Sequence, residues 1–332
     1  MSNKLNHGVM EAARFMAEHD RFLVLSHVNP DGDATGSALA VALMLEQLGK
    51  GYIVANEGET PQKFSFLPRF DRLRNLSREP LDEKFDAVIA VDCADRSRMG
   101  EVQGWFAPGA AVLNIDHHPT NDQFGSVNVI RAEAAATAEI LFELVEAAGI
   151  SFNQELALCI YTGLLTDTGG FRYANTSPRV LEIASRLLSY GVKPGEVAER
   201  CLEEITFSHV KILRRALQTL TLSHQDQIAS ITVTLEDFAE TGAEREDAGG
   251  LVNYCRNIAG VEVGISFVEA EKEIVKVSFR ARDRVDVSAI AKELGGGGHA
   301  KAAGCTMRGT VEQVREQVLQ AVAQALGVSS NE

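Results

Sequence analysis

Four segments in the first half of the chain are apolar on both faces: FLVLS at 22–26, GYIVA at 51–55, FDAVIAV at 85–91 and AAVLNI at 110–115. Strands without a polar face belong to a parallel sheet covered by helices on each side. Between the first two, Gly36 to Gly49 carries helical periodicity and ends on a glycine. Strand and helix in alternation predict a parallel, doubly wound α/β sheet. Apolar helices follow at about 134–148 and 153–166, then a helical region without strands from about 178 to 222. Beyond it the period becomes two. QIASITVTL, VEVGISFVE and EIVKVSFRA read as alternating strands, with helical stretches near 246–258, 286–294 and 310–326. The expected organisation is a first domain over 1–190, a helical linker over 191–222 and a smaller α/β domain over 223–328. No internal repeat or low-complexity segment interrupts it.

Composition changes this picture little. The 332 residues suffice for two domains with their own cores. Apolar residues at 45% and charged residues at 23% exclude a disordered chain. Charge is more informative: 32 Lys and Arg face 46 Asp and Glu, a formal charge of -14. No basic run offsets it, which argues against binding a long nucleic acid duplex, although a few placed arginines can still hold a short anionic substrate. The cysteines, at 93, 159, 201, 255 and 305, form no C-x-x-C pair. They read as buried, reduced thiols rather than a zinc ribbon. The N-terminal stretch has no basic region followed by an apolar core, and nothing approaches the roughly 18 apolar residues needed to span a bilayer. The expectation is a cytoplasmic protein with no membrane partner.

The chemistry-bearing residues fall at the ends of the predicted strands. FLVLS runs into His27-Val-Asn-Pro-Asp31-Gly-Asp33, FDAVIAV into Asp92, and AAVLNI into Asp116-His117-His118. Carboxyl ends of parallel strands share one edge of a sheet, the edge where ligands bind. A further acid, Asp167, stands where an apolar helix meets a glycine turn in GLLTDTGGFRY. Taken singly, each has an ordinary reading: Asp31 to Asp33 as a turn, Asp92 as a helix cap, His117-His118 as a packed loop, Asp167 as a cap. Their coincidence is the stronger signal. So many acids cannot all ionise in one cleft without compensation by cations, and carboxylate with imidazole, without thiolate, suits Mn, Fe, Co or Mg better than a structural zinc, with ligands enough for two ions sharing one bridging carboxylate.

His27-x-x-x-Asp31-x-Asp33, Asp92, Asp116-His117-His118 and Asp167 together resemble, in order and type, the four motifs of the DHH phosphoesterase superfamily. GGGGHAKAAGC at 295–305 is similar to the glycine-rich signature of the DHH-associated C-terminal domain, so the resemblance covers about residues 15–325. HVNPDGDATGS, DHHPTN and GLLTDTGGFRYANTSP look most like the NrnA group of bifunctional oligoribonucleases and pAp phosphatases. The resemblance implies two Mn2+ ions, with Mg2+, Co2+ or Fe2+ as alternatives. His27, Asp31 and Asp92 would hold one, and Asp33, Asp92, His117 and Asp167 the other, with Asp92 bridging. His118 would face the scissile phosphate and deliver a proton to the leaving oxygen, and Asp116 would orient His117.

Substrate-binding candidates are Arg172, Arg280, Gly296, Gly297, Gly298 and His299. Guanidinium groups suit phosphate, and glycine lets backbone N–H groups approach an anion. On sequence alone the glycine run also reads as a helix C-cap and flexible turn. Arg282, Arg284, Asn253 and Arg256 are weaker candidates. Tyr173 and Phe171 are as well suited to packing as to stacking on a base.

The implied activity is hydrolysis of short single-stranded RNA and linear dinucleotides to mononucleotides, and removal of the 3'-phosphate of pAp, in a cleft between the domains. A homodimer is implied by the resemblance alone. The alternatives are a cyclic dinucleotide phosphodiesterase, a RecJ-like single-strand exonuclease, and a non-catalytic nucleotide-sensing protein.

Overall fold

The computed structural model describes residues 2–327. Residues 1 and 328, the outer bounds expected for the two domains, lie outside the described residues. The chain divides into two compact units, Met1–Glu204 and Ile205–Glu332. The stretch read as a linker, 191–222, is shared between them. Among the described residues no helix is long and apolar enough to cross a membrane.

The first unit contains α1 (Ser2–Glu18), β1 (Arg21–Leu25), α2 (Gly32–Gln47), β2 (Gly51–Asn56), β3 (Leu73–Asn75), β4 (Phe85–Val91), β5 (Phe106–Asp116), β6 (Val127–Ile130), α3 (Thr137–Ala147), α4 (Gln154–Asp167), α5 (Pro178–Leu188) and α6 (Pro194–Ala198). Its six strands are all parallel, in the order β3-β2-β1-β4-β5-β6. The doubly apolar runs have a direct explanation. Phe22, Val24, Ile89, Val91, Leu113 and Ile115 point into one core with α1 to α5, whereas Leu23, Leu25, Val88, Ala90 and Val112 point into the other. That second face is covered by Leu76, Met99 and Val102, from a 3-10 segment at Arg96–Trp105 and neighbouring loops rather than from α-helices. The short strands β3 and β6 escape the sequence pattern because three or four residues cannot establish a period.

This strand order places β1 beside β4, so consecutive connections leave the sheet in opposite directions there. In open α/β sheets this switch point opens a crevice at the strands' carboxyl ends. Register levels the outlets: Leu25 pairs with Ala90, and Val91 with Ile115. His27, Asp92 and Asp116 therefore emerge at one height.

α2 begins at Gly32, four residues before the predicted start, because the Asp31 side chain accepts hydrogen bonds from the backbone N–H groups of Asp33 and Ala34, both at 3.0 Å. Residues 32–45 of this helix are all buried, as expected of a helix with no polar face. Two glycines let α2 lie against α4. A Cβ on Gly36 would stand 2.6 Å from the carbonyl oxygen of Cys159, and one on Gly163 would stand 2.5 Å from Asp33 Oδ1.

The second unit contains α7 (Phe207–Gln218), β7 (Thr221–Ser223), β8 (Ile228–Val233), α8 (Leu235–Thr241), α9 (Val252–Arg256), β9 (Val263–Glu271), β10 (Ile274–Ala281), α10 (Val287–Glu293), β11 (Gly297–His299), β12 (Ala302–Arg308) and α11 (Val311–Leu326). Its sheet order is β11-β12-β10-β9-β8-β7, with only β8 and β9 parallel. The predicted helix at 246–258 is broken at Gly250, whose φ of 78° leaves only the short α9. The glycine run also departs from a simple turn: Gly295, at φ 81°, ends α10, and the following residues form the edge strand β11. All five cysteines are buried and free, and burial pushes the thiols of Cys201 and Cys305 up to about 11.

The α2–α4 seam yields a stability prediction. Alanine in place of a mid-helix glycine normally adds about 1 kcal/mol of helix propensity. At Gly36 the new methyl meets an immovable carbonyl, and overpacking costs roughly 1–3 kcal/mol. Denaturant unfolding of Gly36→Ala should show a net loss; a gain in stability would mean that this glycine does not set the helix spacing.

Candidate metal and active site

Each acid or imidazole at the β1–β4 edge is aimed by a different local device. The His27 ring is steered by its Nδ1, 2.8 Å from the carbonyl oxygen of Val28, so Nε2 lies 3.5 Å from Asp92 Oδ2 and 4.0 Å from Asp31 Oδ2. Asp92 follows β4 with φ 58°, a left-handed conformation uncommon for a non-glycine residue. Its own N–H donates to the carbonyl oxygen of Ile115 at 2.9 Å. The Nδ1 of His117 lies 3.2 Å from the carbonyl oxygen of Ala134, and its Nε2 is 3.6 Å from Asp92 Oδ1 and 3.2 Å from Asp167 Oδ2. Asp33, fully buried, accepts from the N–H groups of Thr137 at 2.6 Å and Ala138 at 3.0 Å.

Three sets of donors result, each with its ligand atoms within 4.8 Å of one another: His27, Asp31 and Asp92; Asp33, His117 and Asp167; and Asp92, His117 and His118. The first two sets contain residues that the resemblance implies for separate ions, and Asp92 Oδ1 also lies 3.6 Å from His117 Nε2 of the second. Their electrostatics fit divalent cations. Burial, followed by the charges of Asp92 and Asp31, raises the Asp33 carboxyl well above the usual range. Burial and the same crowd of acids, Asp33 first, raise Asp167. Asp92 runs the other way: burial opposes its charge, but the hydrogen bond from His27 and the charges of His117, His27 and His118 prevail and hold it low. Burial likewise opposes protonation of His27, yet its hydrogen bond to Asp92 and the charge of Asp31 leave its pKa raised. Buried carboxyls that repel one another, interleaved with imidazoles, have the donor chemistry of a divalent metal centre.

Among the substrate-binding candidates, Arg172 is exposed, and its Nε donates to the carbonyl oxygen of Gly169 at 2.5 Å. The others belong to the second unit. Ala302 pairs with Arg280 on one side and with His299 on the other. Directly paired residues of antiparallel strands share a face, so the arginine and the histidine flank a small residue on one surface, their backbones roughly 10 Å apart. The glycines are needed for close approach: a Cβ on Gly296 would stand 2.1 Å from the carbonyl oxygen of Gly304, and one on Gly298 would stand 2.6 Å from that of Ala302. Gly297 pairs with Gly304. Arg282 is committed elsewhere, donating to the carbonyl oxygens of Arg256 and Ile258 at the end of α9. Phe171 packs at 5.9 Å from the Tyr161 ring, and Tyr173 is 48% exposed.

Residues 21–164 match the DHH family, N-terminal domain, and residues 226–327 match the DHHA1 domain. A protein of Thermus thermophilus named bifunctional oligoribonuclease and PAP phosphatase NrnA is 38% identical over 309 residues, covering 91% of this chain and 89% of the relative. This chain belongs to the NrnA family of DHH proteins. The Bacillus subtilis protein of the same name is 28% identical, covering 90% of this chain and 92% of the relative. Among solved structures, an exopolyphosphatase-related protein from Bacteroides fragilis superposes with a TM-score of 0.87 at 26% identity, covering 97% of this chain and 96% of that one.

In this NrnA-family chain one expected role changes hands. Asp116 is expected to orient His117, but its Oδ1 lies 2.7 Å from Nδ1 of His118, while the Nδ1 of His117 faces the Ala134 carbonyl. The reason is directional. β5 ends at Asp116, and beyond it the chain brings the His118 ring rather than that of His117 to this carboxylate. Oδ2 of Asp116 accepts from Asn121 Nδ2, also at 2.7 Å. Sequence reading also passes over Thr137, whose hydroxyl donates to Asp92 Oδ1 at 2.9 Å, and Asn175, whose amide donates to the carbonyl oxygens of Ala135 and Asp167. Asn121 has a legible signal in the phrase DHHPTN; Thr137, in an alanine-rich run, has none.

The raised pKa values of Asp33, Asp167 and His27 predict proton-linked metal binding. The metal-free protein holds protons at these groups to higher pH than free side chains do, and ligation needs them gone. Affinity for a divalent cation, with Mn2+ as the probe, should therefore rise with pH. Calorimetry in two buffers of different ionisation enthalpy should detect protons released on binding; no net release would mean the carboxyls are already ionised.

Proposed function

We propose that the protein is a divalent-metal phosphoesterase, with two Mn2+ ions, that hydrolyses short oligoribonucleotides and linear dinucleotides to mononucleotides and removes the 3'-phosphate of pAp. The observation that carries this reading is the pair of donor sets converging on Asp92, with His118 beside them at 3.6 Å. The NrnA relatives named for both activities support the substrate class.

His27, Asp31 and Asp92 would hold one ion, and Asp33, Asp92, His117 and Asp167 the other; divalent ions held there would supply Lewis acidity, polarising phosphoryl oxygen and acidifying water. The protein's own part is positioning and proton movement. Burial lowers the proton affinity of His118, but its hydrogen bond to Asp116 and the charge of Asp92 outweigh it and leave the pKa raised. The raised pKa favours the imidazolium, and the bond at Nδ1 fixes the ring, which suits donation to the leaving oxygen. Arg172, Arg280, Gly296, Gly297, Gly298 and His299 would hold the parts of the nucleotide remote from the reacting phosphate.

Chromatographic product analysis with manganese, offering pApA, pGpG, pAp and a long RNA side by side, tests the reading. Turnover should fall steeply beyond a few nucleotides, with a mild salt dependence because few phosphates are gripped. Processive digestion of the long RNA would favour a single-strand exonuclease instead. Division of labour is testable separately. His118→Ala should keep its metal and lose about 10²–10⁴ in turnover even on bis-p-nitrophenyl phosphate. His299→Ala and Arg280→Ala should raise KM for dinucleotides more than they lower kcat and should spare the small ester. Equal loss of the ester in His299→Ala and His118→Ala would put His299 among the catalytic groups.

A further inference from the structure

The donor sets are drawn from four separate segments, and something must fix the distance between them. The loop from β6 into α3 touches nearly all of them. Arg131 N–H donates to the carbonyl oxygen of Asp116 at 3.0 Å. The carbonyl of Ala134 faces His117, and that of Ala135 accepts from Asn175, which also binds the backbone of Asp167. The loop is itself braced: Ala135 N–H donates to Glu139 at 2.8 Å, and Arg131, 8% exposed, pairs with Glu143 at 2.8 Å.

At the end of this loop stands Thr137, fully buried. Its backbone N–H donates to Asp33 Oδ2 at 2.6 Å and its hydroxyl donates to Asp92 Oδ1 at 2.9 Å. One residue thus holds one carboxylate oxygen from each donor set. The arrangement uses a helix start in an unusual way. The N-cap position of α3, Ala136, has no side chain able to cap, so the unpaired N–H groups of the first turn are satisfied by Asp33 from another element. The hydroxyl bond falls on Asp92 Oδ1, the oxygen that faces His117, and leaves Oδ2 toward His27. It therefore fixes the rotation of the Asp92 carboxylate that lets it reach both sets.

We propose that Thr137 is a positioning residue for the metal centre, setting the orientation of Asp92 and its spacing from Asp33 so that two divalent ions share one carboxylate. This inference rests on the metal-dependent reading of the same site. Thr137→Val keeps the shape and the backbone N–H to Asp33 and replaces the hydroxyl by a methyl; Thr137→Ser keeps the hydroxyl; Thr137→Ala removes it without adding apolar bulk.

The test is Mn2+ titration by calorimetry on the full chain, alongside the thermal midpoint of the metal-free protein. The expected result is about a 10- to 100-fold loss of manganese affinity in Thr137→Val, the usual scale for a group that orients a ligand. Thr137→Ser should restore most of the lost affinity. If Thr137→Val does not fold, Thr137→Ala carries the same expectation. Manganese affinity equal to the parent in a hydroxyl-deleted variant, with only the metal-free midpoint lowered, would show a merely structural threonine and overturn the proposal while leaving the metal reading intact. A parent protein that binds no manganese would overturn both.

Discussion

Crowding of buried carboxylates at the β1–β4 edge is the constraint on which the site depends. Two like charges about 4 Å apart in a protein-like medium repel by about 4 kcal/mol, and Asp33, Asp92 and Asp167 all lie within reach of His117 or its neighbours. The protein answers this unevenly. Asp92 is surrounded by three imidazoles and stays charged, whereas Asp33 and Asp167 are pushed toward their neutral forms. The arrangement stores a demand for positive charge that divalent cations would satisfy, and this fold presents that demand at one place.

Helix packing acts together with the β6–α3 loop to hold it there. Asp33 and Asp167 sit at the adjoining ends of α2 and α4, so the closeness of those helices decides the distance between the carboxylates. Gly36 and Gly163 allow that closeness, and Gly163 leaves room for the Asp33 side chain itself. A core substitution far from any ligand would therefore be felt at the site, because packed helices have no slack. The start of α3 closes the arrangement from the other side: its first N–H groups hold Asp33 and its first hydroxyl holds Asp92.

The second unit is built on a different principle. Its sheet carries small residues where the candidate binding groups stand, with Ala302 between Arg280 and His299 and glycine at 297 and 304. Such a surface would leave room for the proposed nucleotide to reach backbone and a few polar side chains. Reading GGGGH as a turn misses this. The glycines let an edge strand lie close to β12, which depends on residues downstream in the chain.

Much of this is legible in the sequence. The doubly apolar runs located β1, β2, β4 and β5, because a strand buried on both faces must be apolar throughout. The acids and imidazoles at their ends identified one functional edge, since parallel strands deliver their carboxyl ends together. The family followed from the order and type of those residues. Tertiary structure alone decided the strand order that puts β1 beside β4 and the choice of His118 over His117 as the partner of Asp116. It alone recruited Thr137, Asn175 and the Ala134 carbonyl as supports. The division has a physical reason. Burial and backbone period leave their mark on every residue of an element, whereas a hydrogen bond across 45 residues, such as that from Thr137 to Asp92, depends on how elements pack and leaves no local pattern to read.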